Sequence, residues 1–535
     1  AAYSVHVYVD KNKNGVFDQS EKPLAGIKVS DGLNVVETAA DGSFTLPGHE
    51  RERFIFITTP SGYKTFNRHY HKIEKKQSGY DFGLIPYSGR IRKNGSHRYI
   101  HIADTEIFNT ENHADWVNNV RDYARNEQAA FIIHTGDICY EKGLKAHIKL
   151  MNTENMDCPV FYCIGNHDLV KGKYGEELFE SIYGPVYYSF DAGNVHYVVT
   201  PMPGGDHAPG YTSDDVCRWL KNDLAHIRPG TPVVVFNHDL LTYEDTFIFK
   251  SKNAGSINLN EYNLKAWVYG HWHINYMKKQ GDVYSVCTSS LDKGGIDHST
   301  TAFRVMHVDS KGDFTSELRY TYLDKNICIA SPAGVMASGV LPVAVNVYSS
   351  VSPVREVLYT CLADGKPVLK NKRLLQSTDW SWNGELPLSH KYVGKELTLR
   401  VTARFNNGEI AEAESHFICR TEKAVPLFSA DWDNLSGNAK HSAPVSAPLN
   451  LPLQLAWTNN VGANLYMTSP LIHKGKVIVA SVDEDLKGVG HVYALNGKDG
   501  TILWSCPVRN SINNSIADDR DIVIDQDALG YLYAI

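Results

Sequence analysis

The chain has 535 residues, 43% hydrophobic and 21% charged, with a net charge of −7. At roughly 150 residues per domain this length predicts three or four domains, and the composition excludes global disorder. No run approaches the roughly 18 apolar residues of a membrane span, the acidic balance argues against a duplex-coating nucleic-acid binder, and nine sparse cysteines exclude a disulfide scaffold.

No signal-peptide pattern opens the chain; AAYSVHVYVD already reads as strand. Residues 1–88 are predicted as a small β-sandwich module, because short apolar runs (VHVYV, GIKVS, NVVET, GSFTL, RFIFITT) alternate with NKNG, SDG and ADG turns. Within it, Asp10, Asn12, Asn14, Val16, Asp18 and Glu21 fit D-x-[DN]-x-[DN]-G-x5-E. Oxygens at loop positions 1, 3, 5, 7, 9 and 12, with Gly15 at position 6, describe a calcium loop. It follows a strand rather than a helix, and a tight hairpin turn of solvated polar residues remains the alternative. Calcium at near-millimolar levels would place the protein outside the cytosol.

Residues 89–325 change to βα alternation with continuous apolar strands, which implies buried sheets covered by helices. Helices are predicted over 111–128 and 141–155. Each apolar strand stops at metal-competent side chains: Asp104-Thr-Glu106, Gly136-Asp137 with Tyr140, Gly165-Asn166-His167-Asp168, Asn237-His238, and Gly270-His271-Trp-His273. In open α/β sheets, ligands bind beyond the carboxyl ends of strands, so five strand ends can feed one crevice. Carboxylate, imidazole and amide oxygen together suit Mn, Fe, Zn or Mg rather than a closed structural zinc. Asp137 can bridge two cations, and two cations can hold a bridging hydroxide and clamp a phosphoryl group. Alone, His238 after a buried strand would read as a core residue; the other blocks reverse that reading. The polar stretches 201–215 and 243–263 are predicted as substrate loops, with His207 and His298 in reach of a phosphate or simply on the surface.

Residues 326–421 return to β alternation and are predicted as a second β-sandwich, in which Cys361 and Cys419 could bridge or stay free. Residues 422–455 read as a linker. Residues 456–535 hold a weak repeat: KVIVAS…GHVYALNGKDGTILWSC is echoed by DIVIDQDALGYLYAI. A strand–turn–strand unit of this kind suggests an incomplete β-propeller.

The ordered blocks over 104–273 resemble the calcineurin-like metallophosphoesterases, whose pattern is D-x-H, G-D, G-N-H-[DE], H, G-H-x-H; four of the five are present. The departure is Glu106 where the family has His. Gly-Asp-x-x-Tyr140, with Val235-x-x-His238, is similar to the purple acid phosphatase branch, whose Tyr binds iron, so Glu106 and Tyr140 are alternative extra ligands. The resemblance implies a central αββα sandwich flanked by β-sandwich modules and two transition-metal ions. Asp104, Asp137 and His273 would hold one ion; Asp137, Asn166, His238 and His271 the other. His167 would contact the phosphoryl group or protonate the leaving oxygen, and Asp168 would orient His167. The implied reaction is hydrolysis of a phosphate monoester or diester. The alternative is an extracytoplasmic binding or adhesion protein with a degenerate site, which Glu106 favours. Residues 1–88 and 326–421 resemble the β-modules of secreted bacterial metallophosphoesterases, which implies a periplasmic or extracellular location. Trp432, Gly500 and Trp504 resemble a PQQ-type propeller, a module for protein or glycan contacts.

Overall fold

The computed structural model describes residues 2–421, 430–443, 451 and 453–535. The segments 422–429, 444–450 and 452, which hold much of the expected linker, lie outside the described residues. Two compact units divide the chain, Ala1–Tyr322 and Leu323–Ile535. No helix among the described residues is long and apolar enough to cross a membrane.

The first unit begins with two four-stranded sheets. One carries Tyr3–Val9 between Ser43–Leu46 and Gly79–Pro86; the other carries Lys28–Ser30 and Phe54–Ile57 at its centre. Alternating residues of both sheets, among them Val5, Val7, Val29, Ile55, Ile57 and Phe82, close a common core. Polar contacts key this module to the rest of the first unit. Arg53 pairs with Glu176 and Glu180, and Asn222 donates to the Leu33 carbonyl.

The same unit holds two larger sheets. A five-stranded sheet runs Val160–Tyr162, Phe131–His134, His97–Ile102, Ala302–Val308, Phe314–Tyr320. A six-stranded sheet runs Tyr188–Ala192, Val195–Val199, Val233–Phe236, Leu264–Tyr269, Val283–Cys287, Tyr276–Gln280. They face each other through aromatic side chains: Tyr99, Phe131 and Phe161 of the first meet Phe190, Tyr197 and Phe236 of the second at centroid distances of 3.9–6.3 Å. Buried aromatic pairs of this kind dominate core energetics.

Helices α1 (Ala114–Asn126), α2 (Tyr140–Leu150) and α3 (Glu177–Tyr183) cover the outer face of the first sheet, and Trp116, Val120, Leu144 and Phe179 join Ile100, Ile102 and Ile132 in one core. Helix α4 (Ser213–Leu224) starts at Thr212, which forms a reciprocal capping box with Asp215, and delivers Asp223 to His196 of the second sheet. The layers are therefore helix, sheet, sheet, helix. The strands ending at His134, Tyr162 and Ile102 are mutually parallel, as are those ending at Phe236 and Tyr269.

Several local expectations need correction. Helix α2 stops at Leu150, short of 155, because Met151 turns extended, Asn152 Oδ1 accepts the Glu154 amide and Asn155 Oδ1 accepts the Asn152 amide. The stretch 243–263 is not all loop; it contains the hairpin Ile248–Lys250/Ser256–Asn258. Cys361 and Cys419 are both buried and free. They lie on Val354–Ala363 and Ile410–Arg420, and strand Glu396–Phe405 runs between these two. Two strand spacings of about 4.8 Å exceed disulfide reach.

In the second unit, a four-stranded and a five-stranded sheet enclose a core of Val343, Val345, Trp382, Leu399 and Val401. Beyond it lie a four-stranded sheet over 471–507 and a three-stranded sheet over 517–534. The sequence repeat has a structural counterpart there. Asp483 accepts the amides of Lys487, Gly488 and Val489, and Asp527 accepts those of Leu529 and Tyr531. One capping carboxylate thus holds the turn in each copy.

Candidate metal centre

The parallel strands bring their terminal residues to one edge. Asp104 follows His97–Ile102, Asp137 follows Phe131–His134, Asn166 follows Val160–Tyr162, His238 follows Val233–Phe236, and His271 follows Leu264–Tyr269. Besides a group of Asp137, Cys139 and Asp168, two groups of donor atoms form there, each with its atoms within 4.8 Å of one another: Asp104, Glu106, Asp137 and His273 in one, and Asp137, His238 and His271 in the other. Asp137 belongs to both. Glycines make the approach possible. A side chain at Gly165 would place its Cβ 2.2 Å from Asp137 Oδ1, and one at Gly270 would lie 2.7 Å from Asp104 Oδ2.

The backbone is strained here. Asp104, Glu106, Asp137, Cys139, Tyr140, His271 and His273 all have positive φ, between 44° and 76°. Non-glycine residues are rarely left-handed, and such strain collects at functional sites. Lys293 Nζ helps hold the first of these loops by donating to the carbonyls of Thr105 (2.7 Å) and Glu106 (2.9 Å). Thr105 Oγ1 is also 2.9 Å from His134 Nε2 beneath it.

His238 carries the strongest chemical information. Its Nδ1 lies 2.8 Å from the Thr135 carbonyl, which only accepts, so Nδ1 bears the proton. Neutral His238 then presents a lone pair at Nε2. That atom faces Asp137 Oδ2 at 3.1 Å and His271 Nδ1 at 3.2 Å. His271 Nδ1 satisfies that lone pair when it carries its ring proton, but the Asp137 oxygen facing it needs a proton or a metal ion between them. Without a metal, burial pulls the imidazole down, but Asp137 and Asp104 outweigh it and raise its pKa to about 9. Metal-binding histidines commonly donate their second nitrogen to a carbonyl in this way.

The carboxylates tell the same story. Burial raises Asp104, whose Oδ1 is buried without a hydrogen-bond partner; the nearest imidazole nitrogen is His273 Nε2 at 3.5 Å. Asn166 Oδ1 is likewise buried and unpartnered. Burial would raise Glu106, but His273, whose Nε2 is 3.4 Å away, holds it down. The neighbouring carboxylates of Asp104 and Glu106 lift His273 to about 10. Orphaned buried acceptors are costly in a folded protein. This oxygen–imidazole set therefore fits hard or borderline cations.

Asp168 does not face the His167 ring, which corrects its expected role. Its two oxygens accept the amides of Asp137 (2.9 Å), Gly165 (2.8 Å) and Cys139 (2.8 Å), tying two ligand loops together. The carboxylate on His167 is Asp206, whose Oδ2 lies 2.8 Å from Nδ1. Burial lowers His167, but Asp206 and Asp137 more than offset it, and the net shift is upward. Asp206 sits on the anticipated loop 201–215 but was not singled out by sequence; neither was Lys293. The Tyr140 ring packs against the His167 ring at 5.2 Å. His207 and His298 are exposed.

The loop at 10–21 is closed on itself. Asp10 accepts the amides of Asn14 (3.2 Å) and Gly15 (2.8 Å), Glu21 those of Lys11 (2.8 Å) and Asp18 (3.1 Å), and Asn14 Oδ1 that of Val16 (3.0 Å). Asn12 reaches Asp18 at 3.4 Å.

This site and its layered sheets define a metallophosphoesterase-type domain. Residues 97–275 match the calcineurin-like phosphoesterase family, and residues 11–86 match the N-terminal module of calcineurin-like phosphoesterase. Through these two segments the chain belongs to the calcineurin-like phosphoesterase superfamily. It is similar to purple acid phosphatase 13 of Arabidopsis thaliana, 26% identical over 215 residues, which are 38% of this chain. The match spans about a third (36%) of that relative's length. Among solved structures, a conserved uncharacterized protein of Streptococcus pneumoniae, a predicted phosphoesterase, is 10% identical. That match covers 42% of this chain and 98% of the other at a TM-score of 0.20, too low to carry an argument.

Proposed function

We propose that this chain hydrolyses phosphate esters with two metal ions held at the edge formed by Asp104, Asp137, Asn166, His238, His271 and His273. One observation carries the reading: with His238 Nδ1 committed to the Thr135 carbonyl, His238 Nε2, Asp137 Oδ2 and His271 Nδ1 converge within 3.2 Å contacts, an arrangement that suits a shared cation, and Asp137 also belongs to the neighbouring group. Asp104, Glu106, Asp137 and His273 would hold one ion. Asp137, Asn166, His238 and His271 would hold the other. Bound Mn, Fe, Zn or Mg ions would supply Lewis acidity and an activated water at neutral pH.

The chain's own residues do the rest. Glu106 takes the place of the family's histidine and makes the first subsite harder and more negative. Asp168 keeps the Asp137 and Asn166 loops in register. His167, held by Asp206, presents its free Nε2 to the phosphoryl group or to the leaving oxygen as a proton donor. Tyr140 borders His167. The β-modules favour a periplasmic or extracellular setting, and the repeats over 456–535 a propeller-type contact module. Calcium in the 10–21 loop is a second, separate metal reading.

Hydrolysis of p-nitrophenyl phosphate and bis-p-nitrophenyl phosphate tests the proposal, as purified, after EDTA, and after adding back each metal. Turnover lost with EDTA and restored by one metal is expected. No turnover with any metal, in folded protein, would instead favour a binding protein with a degenerate site.

A further inference from the structure

Exposed apolar side chains are unevenly placed in the first unit. Among its described residues, the large exposed ones are Val16, Phe108, Tyr140, Tyr243, Ile296 and Tyr322. Four of these adjoin residues of the metal centre along the chain or through a contact, at 59% (Phe108), 44% (Tyr140), 77% (Tyr243) and 76% (Ile296) exposure. Each is tied to a site residue. Phe108 lies two positions after Glu106 on the same strained loop. Tyr140 rests on His167. The Ile296 amide donates to the His273 carbonyl at 2.8 Å. Tyr243 stacks on Trp272, the residue between His271 and His273, with centroids 6.1 Å apart and planes at 27°. Trp272 is itself fixed by its indole N–H to Asp239 Oδ1 (3.0 Å) and packs against Tyr276.

Phe108 and Ile296 offer no hydrogen-bonding group to a polar alcohol, and Tyr140 and Tyr243 combine an apolar ring face with a single hydroxyl. Single exposed apolar residues are ordinary, but a group around one site marks a binding surface. Building on the phosphoesterase reading above, we propose that this rim selects phosphate esters of apolar alcohols, with the alkyl or aryl part lying against Phe108, Tyr243 and Ile296. A free amphiphile and a membrane lipid headgroup share this chemistry.

The test has two readouts on metal-loaded protein. One is the affinity for non-hydrolysable n-alkylphosphonates, methyl to octyl, by calorimetry. The other is kcat/KM for the matching n-alkyl phosphates. Both should rise with chain length, by up to about fourfold per methylene buried. The rise should flatten in Ile296→Ser and Phe108→Ser, whose side chains are exposed and not needed for folding. It should persist in Leu375→Ser, an equally exposed residue of the second unit. Hydrolysis of dioleoyl phosphatidate in phosphatidylcholine vesicles would identify the membrane source; activity on monomeric octyl phosphate alone would identify the free ester. Good turnover with no chain-length dependence overturns the rim proposal and leaves the phosphoesterase reading standing. Chain-length-dependent phosphonate binding without turnover does the reverse.

Discussion

Two buried histidines of the first unit each lie between two carboxylates, and their surroundings differ in an instructive way. His196 is 2.7 Å from Asp191 and 2.6 Å from Asp223. Asp223 also accepts from Ser189 Oγ (2.6 Å), which is 2.8 Å from Thr58 Oγ1 of the N-terminal module. No residue of this network has positive φ, and none of its polar atoms is orphaned. Around His238 the same ingredients sit on left-handed backbone, and Asp104 Oδ1 and Asn166 Oδ1 have no partner. A polar cluster that satisfies itself joins the fold together. One that is left incomplete on strained backbone has room for a proton or a metal ion to complete it.

The largest expected effects fall on the incomplete cluster. Asp137→Asn removes the carboxylate common to both donor groups. It should lower kcat by about 10²–10³ or more and reduce bound metal per chain, measured by elemental analysis. The metal-free variant should remain folded, although it loses the carboxylate that faces His238 at 3.1 Å. Loss of fold would place Asp137 in the same class as Asp223. His167→Ala should lower turnover by roughly 10²–10⁴ if it protonates the leaving oxygen. Unchanged turnover would remove it from the reaction.

The self-satisfied cluster should respond in the opposite way. His196→Ala leaves Asp223 buried without its ionic partner and should cost about 3–5 kcal/mol in denaturant unfolding, while kcat of the folded protein stays unchanged. The same network gives a pH dependence. Burial pulls His196 down, but Asp223 and Asp191 overcome it and raise the pKa to about 10. The folded state therefore holds this proton more tightly than the unfolded chain, where histidine titrates near 6.5. The stabilisation is complete below about pH 6.5 and is lost as pH rises toward 10, by up to about 1.4 kcal/mol per pH unit. The stability gap between wild type and His196→Ala should narrow across that window. A constant gap would mean that the imidazole is neutral in the fold.

The strand-end blocks were legible because a buried parallel strand is a run of apolar residues and its candidate metal-binding side chain follows within a few positions of its end. Gly165 and Gly270 were legible for a related reason, since only glycine admits the backbone so close to a carboxylate. What stayed hidden depends on tertiary placement. Asp168 follows His167 directly, yet its side chain turns to three amides of neighbouring loops. Asp206 is 39 positions away and reaches the imidazole by loop folding. Lys293 acts through backbone carbonyls, which leave no mark in sequence. The left-handed conformation of Asp104 and His271 is equally silent, because neither residue type announces it.

The 10–21 loop gives the smallest and sharpest test of the comparison. Its sequence is a full calcium-loop match, yet Asp10 and Glu21 already accept amides of the loop itself. By the rule drawn from His196 and His238, a satisfied set of oxygens gains less from a cation than an orphaned set. Calcium should therefore bind only at the weak, roughly millimolar level of extracellular modules. At ten times its Kd it would add about 1.4 kcal/mol, seen as a rise of a few degrees in Tm. Asp10→Ala should abolish that rise without touching ester hydrolysis. No rise up to about 10 mM calcium, well above that range, would make the loop a turn that happens to carry the spacing. A much larger rise would show that internal hydrogen bonds are no guide to which oxygens await an ion, and the distinction between His196 and His238 would then rest on backbone strain alone.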